Sequence, residues 1–506
     1  LLDELSSGLR TGDDTPALLR GRRTITRGDL ADLRDRYATA LHARGLTTGD
    51  TLGLAIRPGP RALAMVLAAY RLGVRVALLD PTAGPDVLTA RLSLARPALI
   101  VADAAAQAVA GWAAPLARRA GLALPDFAAL GPTATVGPRL PGNAPPLALP
   151  PGPLPAAYDG DGDAVIIFTS GTTSSPRAVV HTRAGLATGL RAVADLVRPV
   201  PGVPVLGGTF FVMVPSLAAG APVAAPAGRP RALARQVTGL RPQATYLTPP
   251  QLRTALDAGT PFTGRVYSGS APVSAHLLQR VRAAGADEAW GVYALTEVFP
   301  AAAAESREKS GFDGDGDLVG SLLPGVRGRL DDTGQLLLAG AGVCDRYLGA
   351  DPHEWVATGD IAHLEGDRVV LAGRAKDMIL RKAENIYPGL YEPSLHVPGV
   401  SLAVLVGVPA GDGDEHVVAL IETTPDASRQ RVEAALREPL QRMGSARPDR
   451  VVFAEVPLAG RSRKPDRAAA ASLVTASSGI PRRSSGVPRR PSGNPRPSGI
   501  PHQRKP

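Results

Sequence analysis

Leu30, Leu33, Tyr37 and Leu41 recur three and four residues apart among charged and small residues, which predicts an amphipathic helix within residues 25–46. The period then changes. GDTLGLAI (49–56) is a short apolar run that reads as a strand, ALAMVLAAYRLG (62–73) as a buried helix, and VRVALLDP (74–81) as another strand. Strands alternating with helices imply parallel sheets covered by helices, and such sheets place ligands beyond the carboxyl ends of their strands. Residues 131–162 are rich in Pro, Gly and Ala with little periodicity, so they read as a connection. Further on, AGLATGLRAVADLV (184–197) has helical spacing, while FFVMVPS (210–216) is apolar throughout and reads by itself as a buried strand and turn. Towards the end, SLAVLVGVPA (401–410) and VVALIET (417–423) read as strands and RVEAALREPLQRM (431–443) as a helix with Val432, Ala435, Leu436 and Leu440 on its apolar face. RVVFAEVP (450–457) reads as the last strand.

The connection at 131–162 leads to the chemically richest stretch. Val165, Ile166 and Ile167 form a strand-like run that empties into Thr169-Ser170-Gly171-Thr172-Thr173. Gly171 allows the backbone to approach an anion, and four hydroxyls with main-chain N–H groups can donate to phosphate oxygens with little fixed positive charge. Arg177, after Pro176, can add a forked cationic contact. A Ser/Thr-rich surface turn would look the same locally, and no Gly-Lys-Ser/Thr ending marks a Walker A loop.

Composition narrows the class. With 506 residues and 44% hydrophobic positions the chain suits a soluble globular protein of several domains. No apolar run has transmembrane length, and the first residues lack the order of a signal peptide, so a cytoplasmic protein is expected. A single cysteine, Cys344, excludes an intramolecular disulfide and a Cys-based zinc site. The net charge of +10 is concentrated at the end: residues 477–506 carry seven Arg and Lys and no acid, in an approximate Ser-Gly-x-Pro-Arg repeat, leaving +3 elsewhere. That tail is expected to be disordered, and the body gives no reason to expect nucleic acid.

The TSGTT loop resembles the phosphate-binding signature of the adenylate-forming superfamily, which includes acyl-CoA synthetases. The family pattern Thr-Ser-Gly-Thr-Thr-Gly-x-Pro-Lys-Gly is matched here except for Ser174, Arg177 and Ala178 in place of Gly, Lys and Gly. Other segments carry the same likeness in the same order. Gly269-Ser270-Ala271-Pro272 resembles the loop that packs against adenine, and WGVYALTE (290–297) resembles the Tyr-Gly-x-Thr-Glu motif. The resemblance implies that Tyr293 stacks on adenine, that Thr296 bonds an oxygen of phosphate or carboxylate, and that Glu297 is a hard ligand for Mg²⁺ shared with ATP. It implies that Asp360, in ATGD (357–360), accepts from the ribose hydroxyls and that Arg374, in GRAKD (373–377), reaches ribose or phosphate. The segment with Phe211, Val212 and Met213 lines the acid pocket in the family, together with Gly269 and Ala294; with no charge there, an apolar acyl or aryl acid is expected.

Residues 374–377 correspond to the family's hinge, with Lys376 at the pivot, and Lys464 in LAGRSRKPDR (458–467) to the lysine that neutralises charge between an α-phosphate and an incoming carboxylate. The implied organisation is an α/β fold. It has a large adenylation domain over 1–373, of parallel sheets covered by helices plus a β-rich part, a hinge at 374–377, a small mobile α+β domain over 378–476 and the tail. The implied activity is an acid–thiol ligase of fatty acid metabolism: acyl-AMP formation with release of pyrophosphate, then transfer to a thiol, CoA first and a carrier-protein pantetheine second. Closure of a β-hydroxy acid to a β-lactone is an alternative, since TEVFP (296–300) is shared with that branch. Lys382 and Ala383 stand where acyl-CoA synthetases commonly have two glycines lining the thiol tunnel. With Ser174 and Arg177 they also leave open an inert nucleotide- or acyl-binding protein on the same fold.

Overall fold

A computed structural model describes residues 1–506 except 22, 80–84, 111–112, 114–125, 139, 170–176, 383, 412–413, 461–462 and 477–506. The loop positions Ser170, Gly171, Thr172, Thr173 and Ser174, the tunnel position Ala383 and the basic tail therefore lie outside the described residues.

Among the described residues two large sheets dominate. The first has seven strands in the order Arg346–Tyr347, Ala178–Thr182, Asp163–Phe168, Arg75–Leu78, Thr51–Ala55, Leu99–Asp103 and Thr133–Val136. From Asp163–Phe168 to the far edge every pairing is parallel, which accounts for the strand–helix alternation in this part of the sequence. Thr51–Ala55 is buried along its whole length, as a central parallel strand covered on both faces must be. The helix Arg27–Ala43 begins with a capping box in which Thr26 and Asp29 exchange hydrogen bonds with each other's backbone, and it buries Leu30, Tyr37 and Leu41. One strand, Thr133–Val136, lies in the stretch whose pattern suggests only a connection; four residues are too short for periodicity to register.

The second sheet has thirteen strands. Its parallel part includes Ala244–Tyr246, Arg265–Gly269 and Glu288–Tyr293. It turns antiparallel at Ala302–Glu305 and continues through Asp317–Leu322, Arg368–Arg374, Val356–Glu365, Gln335–Gly340 and Val326–Leu330. FFVMVPS belongs to a helix, Phe210–Ala218, and not to a strand. An all-apolar run has no period to read, and here Thr209 caps a turn that sends the segment between the sheets, burying Val212, Met213 and Leu217.

Residues from 379 onward carry two apolar clusters of their own, one on each face of a three-stranded sheet formed by Val400–Gly411, Asp414–Thr423 and Arg450–Phe453. Val432 and Leu436 of the helix Arg429–Arg442 fill one cluster, and Ala470 and Val474 of Arg467–Ala476 the other. Arg450–Phe453 is followed by one more hairpin, Leu458–Ala459 with Lys464–Pro465, rather than ending the strands. This part meets the rest of the chain closely at Gly389: a Cβ there would lie 2.6 Å from the Ala372 carbonyl oxygen, so only glycine fits.

Candidate active site

Three parallel strands of the large sheet end side by side, at Tyr246, Gly269 and Tyr293. Beyond these ends lie many of the residues singled out by sequence. Gly269 is held to glycine by the Val292 carbonyl oxygen, 2.8 Å from where a Cβ would stand, and Ser270 takes a left-handed conformation at φ 71°. Ser270 Oγ and the Tyr246 hydroxyl share a hydrogen bond of 2.9 Å, and burial raises the Tyr246 pKa. Ala271 and Pro272 continue the loop, and Ala294 is exposed just past the strand end.

Asp360 is the best-connected acid in this region. Its Oδ2 accepts from the Tyr293 hydroxyl at 2.6 Å, and its Oδ1 meets Arg374 Nε at 2.7 Å. The strand pairing sets this up, because Asp360 and Arg374 are directly opposite in register. The Asp360 side chain is only 6% exposed, and burial lifts its pKa above the usual carboxylate value against the opposing pull of Arg374 and Tyr293. Burial, reinforced by the Asp360 charge, likewise pushes Tyr293 well above the usual phenol value, so Tyr293 is a donor to the carboxylate.

The Thr296-Glu297 corner is held from the smaller sheet. His181, fully buried on Ala178–Thr182, bonds the Thr296 carbonyl through Nε2 at 2.8 Å. The Cys344 amide donates to the Glu297 carbonyl at 2.8 Å, and the Tyr347 hydroxyl donates to Glu297 Oε1 at 2.9 Å. Burial depresses the His181 pKa, which keeps the ring neutral, and pushes the Cys344 thiol up to about 12. Cys344 is thus a buried thiol, 2% exposed, as its isolation in the sequence suggests. Arg177 stands at the end of the predicted phosphate loop, where its carbonyl accepts from the Thr169 amide at 3.0 Å, and its guanidinium lies 5.5 Å from the centre of the Tyr347 ring.

Phe211 packs on Phe299 with ring centres 4.1 Å apart, and Phe299 in turn meets the His181 ring edge at 5.2 Å. Val212 and Met213, at 9% and 7% exposed, sit deeper in the helix interface. Lys376 is exposed in a single tight turn, Ala375–Asp377, whose Asp377 pairs with Arg467 at 3.3 Å.

Lys464 comes from the last hairpin and reaches the electrostatic range of Asp360 and Glu297. Its side chain keeps contact with solvent, yet desolvation of the ammonium, with repulsion from Arg374 and Lys376, brings its pKa below the ordinary lysine value against the opposing pull of Asp360 and Glu297. The structure thus brings Tyr293, Asp360, Arg374, Glu297 and Lys464 to one cleft. His181, Phe299 and Tyr347 belong to the same cluster but are missed from sequence. The only available signal is His181 itself, a polar residue inside the apolar strand AVVHT.

No single carboxylate cluster could cage a metal: among the described residues no group of three or more His, Cys, Asp or Glu is arranged to hold one. Glu297 nevertheless suits Mg²⁺, which commonly takes one or two carboxylates and completes its shell with substrate phosphates and water.

Comparison with known proteins identifies the family and the fold. The family described as AMP-binding enzyme matches residues 7–348. The chain is 26% identical over 470 residues to the PKS-NRPS hybrid synthetase ATPKS of Aspergillus niger, covering 83% of this chain but only 24% of that protein. It is 27% identical to the olefin beta-lactone synthetase of Stenotrophomonas maltophilia, over 80% of this chain and 82% of that one. It is also 27% identical to the medium/long-chain-fatty-acid–CoA ligase FadD8 of Mycobacterium tuberculosis, over 92% and 88%. Among solved structures, the amide bond synthetase McbA from Marinactinospora thermotolerans superposes with a TM-score of 0.76 at 21% identity, over 94% of this chain and 99% of that one.

Proposed function

The chain belongs to the AMP-binding enzyme family, and from that premise we propose that it is an acid–thiol ligase that activates a carboxylic acid as its acyl-adenylate and passes the acyl group to CoA. The observation that carries the first half is Lys464, delivered by the C-terminal hairpin into range of Asp360 and Glu297. The second half is supported by the likeness to the FadD8 ligase over nearly the whole chain.

In this reading Asp360 accepts the ribose hydroxyls of ATP and Tyr293 flanks the adenine, while Arg374 steadies Asp360 and the Thr169–Arg177 loop receives the β- and γ-phosphates. Glu297 would hold Mg²⁺ together with phosphate oxygens, and the ion would neutralise charge on the departing pyrophosphate. The substrate carboxylate attacks the α-phosphorus, one oxygen forming the new P–O bond as the bond to pyrophosphate breaks. Both reactants are anions, so the task is positioning and charge neutralisation, and Lys464 supplies a compact cation between them. The nearby charges of Asp360 and Glu297 favour its cationic form, against the desolvation and the repulsion from Arg374 and Lys376 that lower its pKa. Phe211 and Phe299 offer an aromatic wall to an apolar acyl or aryl chain. For the second half-reaction the C-terminal part turns about Lys376, withdrawing Lys464 and admitting the thiol.

A second reading, closure of a β-hydroxy acid to a β-lactone through the adenylate, is supported by the likeness to the olefin beta-lactone synthetase. Incubation with MgATP, CoA and a panel of fatty, aryl and β-hydroxy acids, with acyl-AMP, acyl-CoA and lactone read separately by mass spectrometry, decides. Acyl-CoA supports the ligase and lactone the second reading. Bound ATP with no product from any acid would sink both.

A further inference from the structure

Arg177 and Glu297 are 120 positions apart in sequence and lie next to strands of different sheets, Arg177 before Ala178–Thr182 and Glu297 after Glu288–Tyr293, yet one side chain touches both. Tyr347 donates its hydroxyl to Glu297 Oε1 at 2.9 Å, and its ring lies under the Arg177 guanidinium at 5.5 Å. Neither contact is incidental to the fold. Tyr347 sits on the edge strand Arg346–Tyr347, opposite Val179 in the antiparallel pairing with Ala178–Thr182. Its neighbour Arg346 forks onto Asp163, donating to Oδ1 at 3.0 Å and Oδ2 at 2.7 Å, which pins that edge to the strand leading into the phosphate loop. The Leu348 amide donates to the Ala178 carbonyl at 2.8 Å, and the His353 ring lies 5.6 Å from the Tyr347 ring, so the phenol has little freedom to turn.

We propose that Tyr347 is a positioning residue that sets the cation ligand and the phosphate-binding arginine in register. Its hydroxyl fixes the rotation of the Glu297 carboxylate, and its ring seats Arg177. The proposal rests on the adenylation reading, since it takes Glu297 as the ligand of the cation and Arg177 as a contact of the triphosphate. The chemistry favours an arginine at that place: a planar guanidinium stacks on an aromatic ring more readily than an ammonium, so Arg177 and Tyr347 suit each other. A carboxylate with one oxygen already committed to a fixed donor has fewer orientations to lose when it takes up a hard cation.

Two variants separate the hydroxyl from the ring. Tyr347→Phe keeps the ring and removes the donor; Tyr347→Leu removes both. Binding of a non-hydrolysable ATP analogue is measured calorimetrically, first without metal and then across a Mg²⁺ titration, with thermal unfolding confirming that each variant is folded. For Tyr347→Phe we expect the Mg²⁺ concentration at half-maximal enhancement to rise about tenfold, the scale of a hydrogen bond to a charged group, with metal-free affinity unchanged. Tyr347→Leu should show that shift and also weaken metal-free binding by roughly two- to fivefold, the scale of an exposed cation–π contact. A Tyr347→Phe variant with the Mg²⁺ dependence of the natural protein overturns the proposal, and so does one that weakens binding equally with and without metal. Failure of the natural protein itself to bind the analogue would instead remove the adenylation reading, and this proposal with it.

Discussion

The Thr296-Glu297 corner and the Lys464 hairpin face the same cleft but are built in opposite ways. The corner is held at the Thr296 carbonyl, the Glu297 carbonyl and the Glu297 carboxylate, by His181 of the smaller sheet, by Cys344 just before its edge strand, and by Tyr347 on that strand. Lys464 stands on a two-residue strand, keeps contact with solvent, and among the described residues makes no ion pair. One side of the site is therefore assembled by folding, whereas the other is presented by a part of the chain with its own core. The cost of fixing geometry is met in advance only where hydrogen bonds to the backbone already hold the atoms.

Removing the presented side should have the largest effect. Lys464→Ala should lower acid-dependent adenylate formation by about 100- to 1,000-fold, the range for loss of one charge-stabilising donor, with ATP affinity nearly intact. Pyrophosphate exchange and calorimetry measure the two quantities, and unchanged exchange would leave Lys464 without its role. Striking the assembled side should do the reverse. Asp360→Asn leaves Arg374 facing a neutral amide, and we expect ATP affinity to fall about tenfold, at the lower end of the range for a lost charge-assisted bond. Equal ATP affinities for the variant and the natural protein would argue against Asp360 as a nucleoside contact.

A third substitution acts between the two. Gly389→Ala drives a methyl into the carbonyl of Ala372, within the strand that ends at Arg374, and must shift the C-terminal part. Adenylation should drop roughly three- to tenfold with ATP binding preserved, because a small misplacement of a catalytic group is costly. If ATP binding falls as much as turnover, the two sides are not separable there. The smallest effect concerns pH. The His181 pKa is lowered by burial, so the unfolded chain binds a proton that the folded chain refuses, and stability is lost as pH falls below about 6.5 towards the depressed native value. His396, also depressed by burial, acts in the same sense. His181→Gln should flatten part of this fall in urea midpoints measured between pH 5.5 and 7.5; an identical slope would assign it elsewhere.

The same contrast explains what the sequence could reveal. Alternation of apolar runs exposed the parallel strands and covering helices, since a buried strand such as Thr51–Ala55 has no freedom to be polar. Tyr293, Asp360, Arg374 and Lys464 were legible because their neighbours form recognisable short motifs in order. Tyr347 and His181 were not. Tyr347 is placed by the register between Ala178–Thr182 and Arg346–Tyr347, and His181 meets a carbonyl 115 positions away, neither of which any local pattern records. FFVMVPS was ambiguous for a different reason: uniform apolarity removes the periodicity that separates helix from strand.

Both oxygens of Asp360 are already engaged, by Tyr293 and by Arg374. A ribose that arrives there does not meet a hydrated anion. Each carboxylate oxygen can still accept a further bond, so in the proposed reading the ribose joins Tyr293 and Arg374, and the dehydration of that carboxylate is settled when the chain folds and not when the nucleotide docks. The gain left for nucleoside docking is then small, and grip on the nucleotide is expected chiefly from its phosphate end. Adenosine alone should accordingly bind far more weakly than ATP, with a small heat.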